Sequence, residues 1–586
     1  MKTVSVICLL ALLSACSSGG SANQMSGTVT TEQRTGTIAA KLDWSSASKT
    51  SSKTVTSTPA GVATVRIIVS GPGLSPALQK DFPAATGSGT IDGVIAGMGR
   101  TLTAQGLDVS GSLTYQGTAT NITVQAGQTT NVGTITMNAF TLGSFRGNIV
   151  LGSPTGTSIR ANVFSADQGG MVHLAYGTSS GYYDRQTASA ALAAGKPLEL
   201  TLEGLATDTR YYYRLYFQTA AGAGSGPTEE YTFHTARPAG STFTFSIQGD
   251  SHPERLNSQF NPELYTRTLL TAAADMPDFY LTIGDDFSVD TLNPATVTAA
   301  QVTERYTLQR PYLGLIGCSA PLFLVNGNHE QAARYLLDGT PDNVAVWAQN
   351  ARNSHYSQPS TDSFYSGNTE QIPYIGLLRN YFAWTWGDAL FVVIDPYWES
   401  PVCVDNPFNG GAKRSNLWDV THGDAQYQWL KTTLEQSRTR YKFVFAHHVM
   451  GTGRGGIELA GQYEWGGQNS NGTWGFTKNR PNWPSTIHQL MAANHVTIFF
   501  QGHDHIWVRQ QVDGVTYQTL PEPADPFYAL YNADAYLSGD VFPNTGYTRV
   551  TVSQAAVRVD YIRTWLPKDE GSGKVNGSVA FSYSIP

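Results

Sequence analysis

The stretch Phe243-Thr244-Phe245-Ser246-Ile247-Gln248-Gly249-Asp250-Ser251-His252 decides how the second half of this 586-residue chain is read. Phe243 to Ile247 is an apolar run with the length of a buried strand in a covered sheet. Asp250 and His252 follow it, and alternation lets their side chains share one face of an extended segment. Four more clusters repeat this arrangement: Gly284-Asp285-Asp286, Gly327-Asn328-His329-Glu330, His447-His448 and Gly502-His503-Asp504-His505. Their leading runs are Phe279 to Ile283, Leu322 to Val325, Phe443 to Ala446 and Thr497 to Phe500. Six of the twelve histidines fall in these clusters, so the ligand-bearing side chains gather at strand ends.

Leu390 to Ile394 is a further strand-like run, and helical patterns lie between the runs. After Gly423, Asp424 is expected to be an N-cap, with Trp429, Leu430 and Leu434 forming an apolar stripe. Strands alternating with helices imply α/β layers. Gly514 to Leu520 and Tyr547 to Ile562 are expected to complete a second sheet. Ligands in such sheets collect beyond the carboxyl ends of the strands, so five strand ends can converge on one point within residues 241–586.

Upstream the chain reads differently. Lys2, the apolar run Val4 to Leu13 and Leu13-Ser14-Ala15-Cys16 form a targeting segment too short to span a bilayer as a helix. It resembles a bacterial lipoprotein signal over residues 1–15, with Cys16 the lipidated residue and a tether over 16–34. Ser17 stands where an inner-membrane retention signal would place Asp. The expectation is therefore lipid anchoring at the outer membrane of a Gram-negative cell envelope; a secreted protein with an ordinary signal peptide is the alternative. Residues 35–140 carry short alternating runs such as Val62 to Val69, Gly89 to Ile91 and Asn131 to Thr136, as in a β-sandwich spacer. Residues 141–238 form a second β unit. Leu205 to Leu215, with its alternate tyrosines, and Tyr231-Thr232-Phe233-His234-Thr235 resemble a fibronectin type III module.

Composition narrows the function. Charged residues make up 14% of the chain, below the roughly 25% of ordinary soluble proteins. A net charge of −7 and a pI near 5.9 give no sign of a nucleic-acid-binding surface. With Cys8 and Cys16 set aside, Cys318 and Cys403 are left either to bridge or to remain buried thiols.

The five clusters, in this order after these runs, resemble the calcineurin-like metallophosphoesterase family over roughly residues 243–565. With a β module ahead of them, they also resemble the purple acid phosphatase branch. The resemblance implies a multidomain chain: N-terminal all-β sandwich domains, then an α/β domain of two mixed β-sheets flanked by helices. It places one metal ion on Asp250, His252 and His505, a second on Asn328, His447 and His503, and Asp285 between them. Imidazole and carboxylate without thiolate suit Fe, Zn or Mn. Two such ions can activate a water for in-line attack on phosphorus. His329 is implied not as a ligand but as the residue that stabilises the transition state or protonates the leaving oxygen. Ser288 stands where purple acid phosphatases carry the tyrosine that gives their colour, so a colourless protein is expected.

Other residues remain open at this point. His448 either touches substrate or supports its neighbour, and Arg454, in Gly451 to Gly456, either clamps phosphate or lies solvated in a glycine-rich loop. Asp286 and Asp504 could orient imidazoles or be solvated acids. Tyr463 to Gly467 and Trp474 could stack on a leaving group or simply pack. His488 and Glu330 read as structural. The function expected is hydrolysis of a small phosphorylated substrate, a phosphomonoester first. A diester or nucleotide is the alternative, and an inactive adhesion protein the competing class.

Overall fold

Alternation along the strand Phe243–Gln248 sends Phe243, Phe245 and Ile247 into one buried layer and Ser246 and Gln248 to the opposite side. In the computed structural model this strand sits mid-sheet, and its two faces set the layering of the domain. The structure describes residues 34–586 apart from 45–57, 60, 73, 85–88, 110, 112, 140–144, 220–225, 294, 331–332, 405–415 and 450–452. The signal segment 1–15, Cys16 and the tether up to residue 33 lie outside the described residues, as do Gly451 and Thr452.

Two compact units emerge, Met1–Ala139 and Phe140–Pro586. In the first, seven strands form one sheet path, and Ile38, Val69, Ile91, Val94, Leu102 and Met137 are among its buried core. In the second, the β module has a three-stranded and a six-stranded sheet around an aliphatic and aromatic core. There the Tyr211 hydroxyl accepts a hydrogen bond from the Ala206 N–H at 2.9 Å, tying down the corner before its strand. The module is joined to the rest of the unit through polar contacts. Arg310, fully buried, donates to Asn148 Oδ1 at 2.7 Å and to the Asn162 carbonyl at 2.9 Å. The Tyr213 hydroxyl donates to the Cys318 carbonyl.

Two mixed sheets follow, with helices outside each. In the first, Leu322–Leu324, Tyr280–Thr282 and Phe243–Gln248 run parallel, followed by Gly546–Val552, Val557–Arg563 and Ser578–Ile585 as an antiparallel meander. In the second, Ala389–Val393, Tyr441–Phe445, Ile498–Gln501 and Val515–Thr519 run parallel in that order. The late strands therefore divide between the sheets, where one second sheet was expected: Val515–Thr519 joins the parallel set and Tyr547 onward extends the first sheet. Their alternating patterns show strands but carry no information about the partner edge.

Phe245, Phe279, Phe391, Phe443, Phe445, Phe500, Trp384 and Trp386 fill the layer between the sheets. Such rings bury large apolar areas and stiffen the floor beneath the strand ends. Outside the first sheet lies Pro262–Ala274, which starts on Asn261, whose side chain accepts the Leu264 N–H, with proline at its first position. Outside the second lies Asp424–Gln436. Its N-cap is Gly423, not Asp424; Asp424 opens the helix and its carboxylate accepts the Trp483 indole N–H at 2.7 Å.

Cys318 and Cys403 are free thiols, which removes the bridge entertained above. Cys318 ends the helix Arg310–Gly317 with Sγ 3.7 Å from the Leu315 carbonyl, and Cys403 pairs with Tyr335. Among the described residues, no helix is long and apolar enough to cross a membrane.

Candidate metal centre

Strands Phe243–Gln248, Tyr280–Thr282, Leu322–Leu324, Tyr441–Phe445 and Ile498–Gln501 all end at one place, and the five clusters meet there. Glycines allow the approach. A Cβ on Gly327 would lie 2.1 Å from Asp285 Oδ1, and one on Gly502 would lie 2.4 Å from Asp250 Oδ1. The ligand loops are also held in sparsely populated backbone conformations. His252, Asp285, His503 and His505 have φ of 45°, 58°, 66° and 54°, each costing on the order of 1–3 kcal/mol for a non-glycine residue. Such strain persists where the surroundings over-determine the geometry.

Three groups of side chains could each hold an ion: Asp250, His252 and His505; His252, Asp285 and His329; and Asp285, His447 and His503. Within each group the donor atoms lie within 4.8 Å of one another, and all are buried. Asp250 Oδ2 is 3.0 Å from His505 Nε2 and 3.7 Å from His252 Nε2. Asp285 Oδ2 is 3.0 Å from His447 Nε2, 3.7 Å from His329 Nε2 and 4.0 Å from His252 Nε2. Asp285 thus occupies the middle of the cluster. Its other oxygen accepts the His329 N–H at 2.9 Å, and Asp250 Oδ1 accepts the His503 N–H at 2.8 Å. Asn328 is buried in the same loop as His329.

The imidazoles are aimed from behind. His447 Nδ1 sits 2.9 Å from the Ile283 carbonyl, which turns Nε2 inward. His252 Nδ1 is 3.0 Å from Glu254 Oε1, and His505 Nδ1 is 3.0 Å from Glu522 Oε1. Both therefore present Nε2 to Asp250. Partners of this kind fix ring orientation and raise ligand basicity. His329 is anchored through Nδ1, 2.7 Å from Asp290 Oδ2.

The field inside is strong. Burial raises the carboxyls of Asp250 and Asp285, but His447 with His505, and His447 with His329, outweigh it and hold both well below the usual range. Burial lowers the imidazole of His252, yet Glu254 and Asp250 lift it to about 10; Asp285 and Asp250 do the same for His447. His329 is raised likewise, burial being outweighed by Asp285 and Asp290. Burial leaves His505 near 4 and His503 well below its ordinary value. Two carboxylates stand among buried imidazoles, with Nε2 of His252 without a hydrogen-bond partner. That donor set suits hard and borderline cations and offers no thiolate.

The remaining candidates fall out as follows. His448 is fully buried, 4.7 Å ring to ring from His503, with neither nitrogen hydrogen-bonded. The Arg454 guanidinium is engaged with the His503 carbonyl and Asp504. Asp504 orients no imidazole: it accepts the Gly455 N–H at 2.7 Å and the Tyr536 hydroxyl at 2.6 Å. Asp286 accepts the Ser251 hydroxyl at 2.7 Å, and burial raises it to about 8. Glu330 clamps the loops, accepting backbone N–H groups of Asp285, Asp286, Phe287 and Gly327. Trp474 is half exposed, and His488 pairs with Tyr517 and Asp513. The groups that do aim imidazoles, Glu254, Asp290 and Glu522, were not singled out from sequence. Glu522 did carry a faint signal: it is an acid between two prolines, three residues past the strand Val515–Thr519.

A cluster of carboxylates and imidazoles at the ends of parallel strands between two sheets defines a metal-dependent hydrolase. Residues 243–507 match the family model of the calcineurin-like phosphoesterases, and this part of the chain is a domain of that family. That domain makes the protein a phosphoesterase. No curated protein matches the chain. Among solved structures, PhoD aligns with a TM-score of 0.53 at 13% identity, covering 75% of this chain and 89% of that one. Purple acid phosphatase PPD1 from seeds of yellow lupin (Lupinus luteus) aligns at 0.49 and 13%, covering 94% and 96%.

Proposed function

We propose that this centre binds two metal ions drawn from Fe, Zn and Mn and hydrolyses phosphomonoesters. The observation that carries the reading is Asp285, whose Oδ2 faces His447 on one side and His252 on the other. Asp250, His252 and His505 would hold one ion; Asn328, His447 and His503 the other; Asp285 would bridge. When bound, such ions supply Lewis acidity and a nucleophilic water at neutral pH.

The chain's own residues complete the chemistry. His329, anchored on Asp290, directs Nε2 toward Asp285 and can hold a proton for the leaving oxygen. The buried floor excludes water from beneath the ligands. The monoester is favoured by the plan this chain shares with acid phosphatases, a β module ahead of the five motifs. The lipoprotein-like signal ending at Cys16 supports a site of action at the cell envelope, with residues 35–140 as a spacer.

Metal analysis followed by a panel of mono- and bis-aryl phosphates and nucleotides tests this. Two equivalents and turnover of monoesters are expected. Asp285→Asn or His447→Ala should lose metal and activity together, whereas His329→Ala should keep the metal and slow turnover by about 10²–10⁴-fold. Two equivalents bound with no phosphoester cleaved would point to the inactive binding protein instead.

A further inference from the structure

Arg255 follows the Asp250–His252 ligand pair on the same loop and has no part in the assignment above. Its Nη2 lies 3.2 Å from Nε2 of His329, the nitrogen that in turn lies 3.7 Å from Asp285 Oδ2. Laid end to end, these separations keep Nη2 within about 7 Å of the central carboxylate. Nη1 donates to Gln259 Oε1, and the amide nitrogen of Gln259 lies 3.1 Å from His505 Nδ1. Nε is 3.3 Å from Glu254 Oε1, the carboxylate behind His252. Three partners belonging to three parts of the centre therefore fix the plane of this guanidinium.

It is not sealed in. The side chain is 28% exposed, and of its five N–H donors one is used on Gln259, while Nη2 stands 3.2 Å from His329 Nε2, which accepts an N–H only while that nitrogen is unprotonated. Arg454, the other arginine near the centre, is turned away onto the His503 carbonyl and Asp504. Arg255 thus presents a fixed, charged, partly solvated fork beside the nitrogen that faces the leaving group. Guanidinium and phosphate match edge to edge through parallel charge-assisted hydrogen bonds.

We propose that Arg255 binds an unesterified phosphoryl oxygen of the substrate and makes the centre prefer monoesters to diesters. The inference rests on the phosphoester-hydrolase reading and names the residue that sets its substrate class. A monoester dianion has three unesterified oxygens and a diester anion two. Where two oxygens are taken up by the centre, the third of a monoester meets Arg255 as a charged acceptor. A diester puts an ester oxygen and its carbon substituent there, leaving the fork without a charged partner. Hydrogen bonds to charged groups differ from their absence by about 10- to 100-fold in affinity.

The test uses the full-length, metal-loaded protein with Arg255→Gln and Arg255→Lys. Metal equivalents, the Kd of inorganic phosphate by calorimetry, and kcat and KM on p-nitrophenyl phosphate and bis(p-nitrophenyl) phosphate are measured for each. Arg255→Gln should keep the metal equivalents of the wild type. Phosphate affinity should drop about 10- to 100-fold, and the monoester-to-diester ratio of kcat/KM should drop by about 10-fold or more. Arg255→Lys, which retains the charge without the fork, should recover part of both. Equal losses on the two esters, unchanged phosphate affinity, or loss of metal from both variants would overturn the proposal and leave Arg255 a positioning residue for His329 and Gln259. Wild-type protein that binds metal and phosphate but cleaves neither ester would defeat the hydrolase reading instead, while the phosphate affinities still judged Arg255.

Discussion

Glu330→Gln is the substitution whose cost follows most directly from the structure. The Glu330 side chain is 2% exposed and each oxygen serves two backbone donors. Oε1 accepts from Asp286 N at 2.9 Å and Phe287 N at 3.2 Å; Oε2 accepts from Asp285 N at 3.1 Å and from Gly327 N. Those donors belong to two loops, and the carboxylate is what lets their N–H groups converge. An amide has nearly the same shape but one acceptor, so whichever way it turns it sets an NH₂ group against one pair. Two buried N–H groups are then left without an acceptor, at about 1–3 kcal/mol each, for a loss of about 2–6 kcal/mol. The displaced loop carries Asp285, so metal binding should weaken with stability. Burial and Asp285 raise the Glu330 carboxyl to about 7, so the comparison is made at pH 8, where it is ionised. Eleven of the twelve tryptophans lie after residue 340, so their fluorescence in urea follows unfolding of the second unit. Asp286→Asn is the control, measured at about pH 6: that carboxyl is raised to about 8 by burial and is protonated there, the neutral amide resembles that form, and it should cost less than about 1 kcal/mol. A Glu330→Gln protein with wild-type urea midpoint and full metal content would refute the reasoning.

Three further outcomes are expected. Glu254→Gln should weaken metal retention by about 10- to 100-fold, read by chelator competition, because that carboxyl is held at about 2 beside His252 Nδ1. Its effect should fall on the ion held by His252 and His505; loss of both ions at equal affinity would contradict the asymmetry. His355 is depressed to about 4 by burial, so between its unfolded value near 6.5 and 4 the unfolded chain binds a proton that the folded chain refuses. Stability therefore rises with pH across that window and falls toward acid by about 3 kcal/mol, a slope in urea midpoint that His355→Leu should flatten. With Ser288 in place of a tyrosine, iron-loaded protein should show no visible phenolate-to-iron band, and such a band in the wild type would contradict the expectation.

What sequence could and could not disclose here follows from how far each relation reaches along the chain. Asp250 with His252, or His503 with His505, follow their own strand within a few residues, so strand and ligand are read together. The α/β layering was legible for the same reason, because each parallel strand is an apolar run bounded by glycine or a polar cluster, whereas the division into two sheets came from the family resemblance. The edge to which Gly546–Val552 would pair was not, since its partner Phe243–Gln248 lies about 300 positions earlier in the chain. Sequence adjacency misled in one way that physics explains. Asp504 stands between two histidines, but its carboxylate is taken up by the Gly455 N–H and the Tyr536 hydroxyl, so it serves the loop of Gly455 and not a ring. Its imagined role belongs to Glu254 and Glu522. Glu254 reaches His252 across a turn, and Glu522 reaches His505 only because the last strand of the parallel set delivers Leu520-Pro521-Glu522 beneath the centre. Arg255 is the extreme case, an isolated arginine matching no motif. Its position shows only once His329, Gln259 and Glu254 are brought around it. The ligands are thus specified locally, and the groups that aim them and read the substrate are specified by the fold.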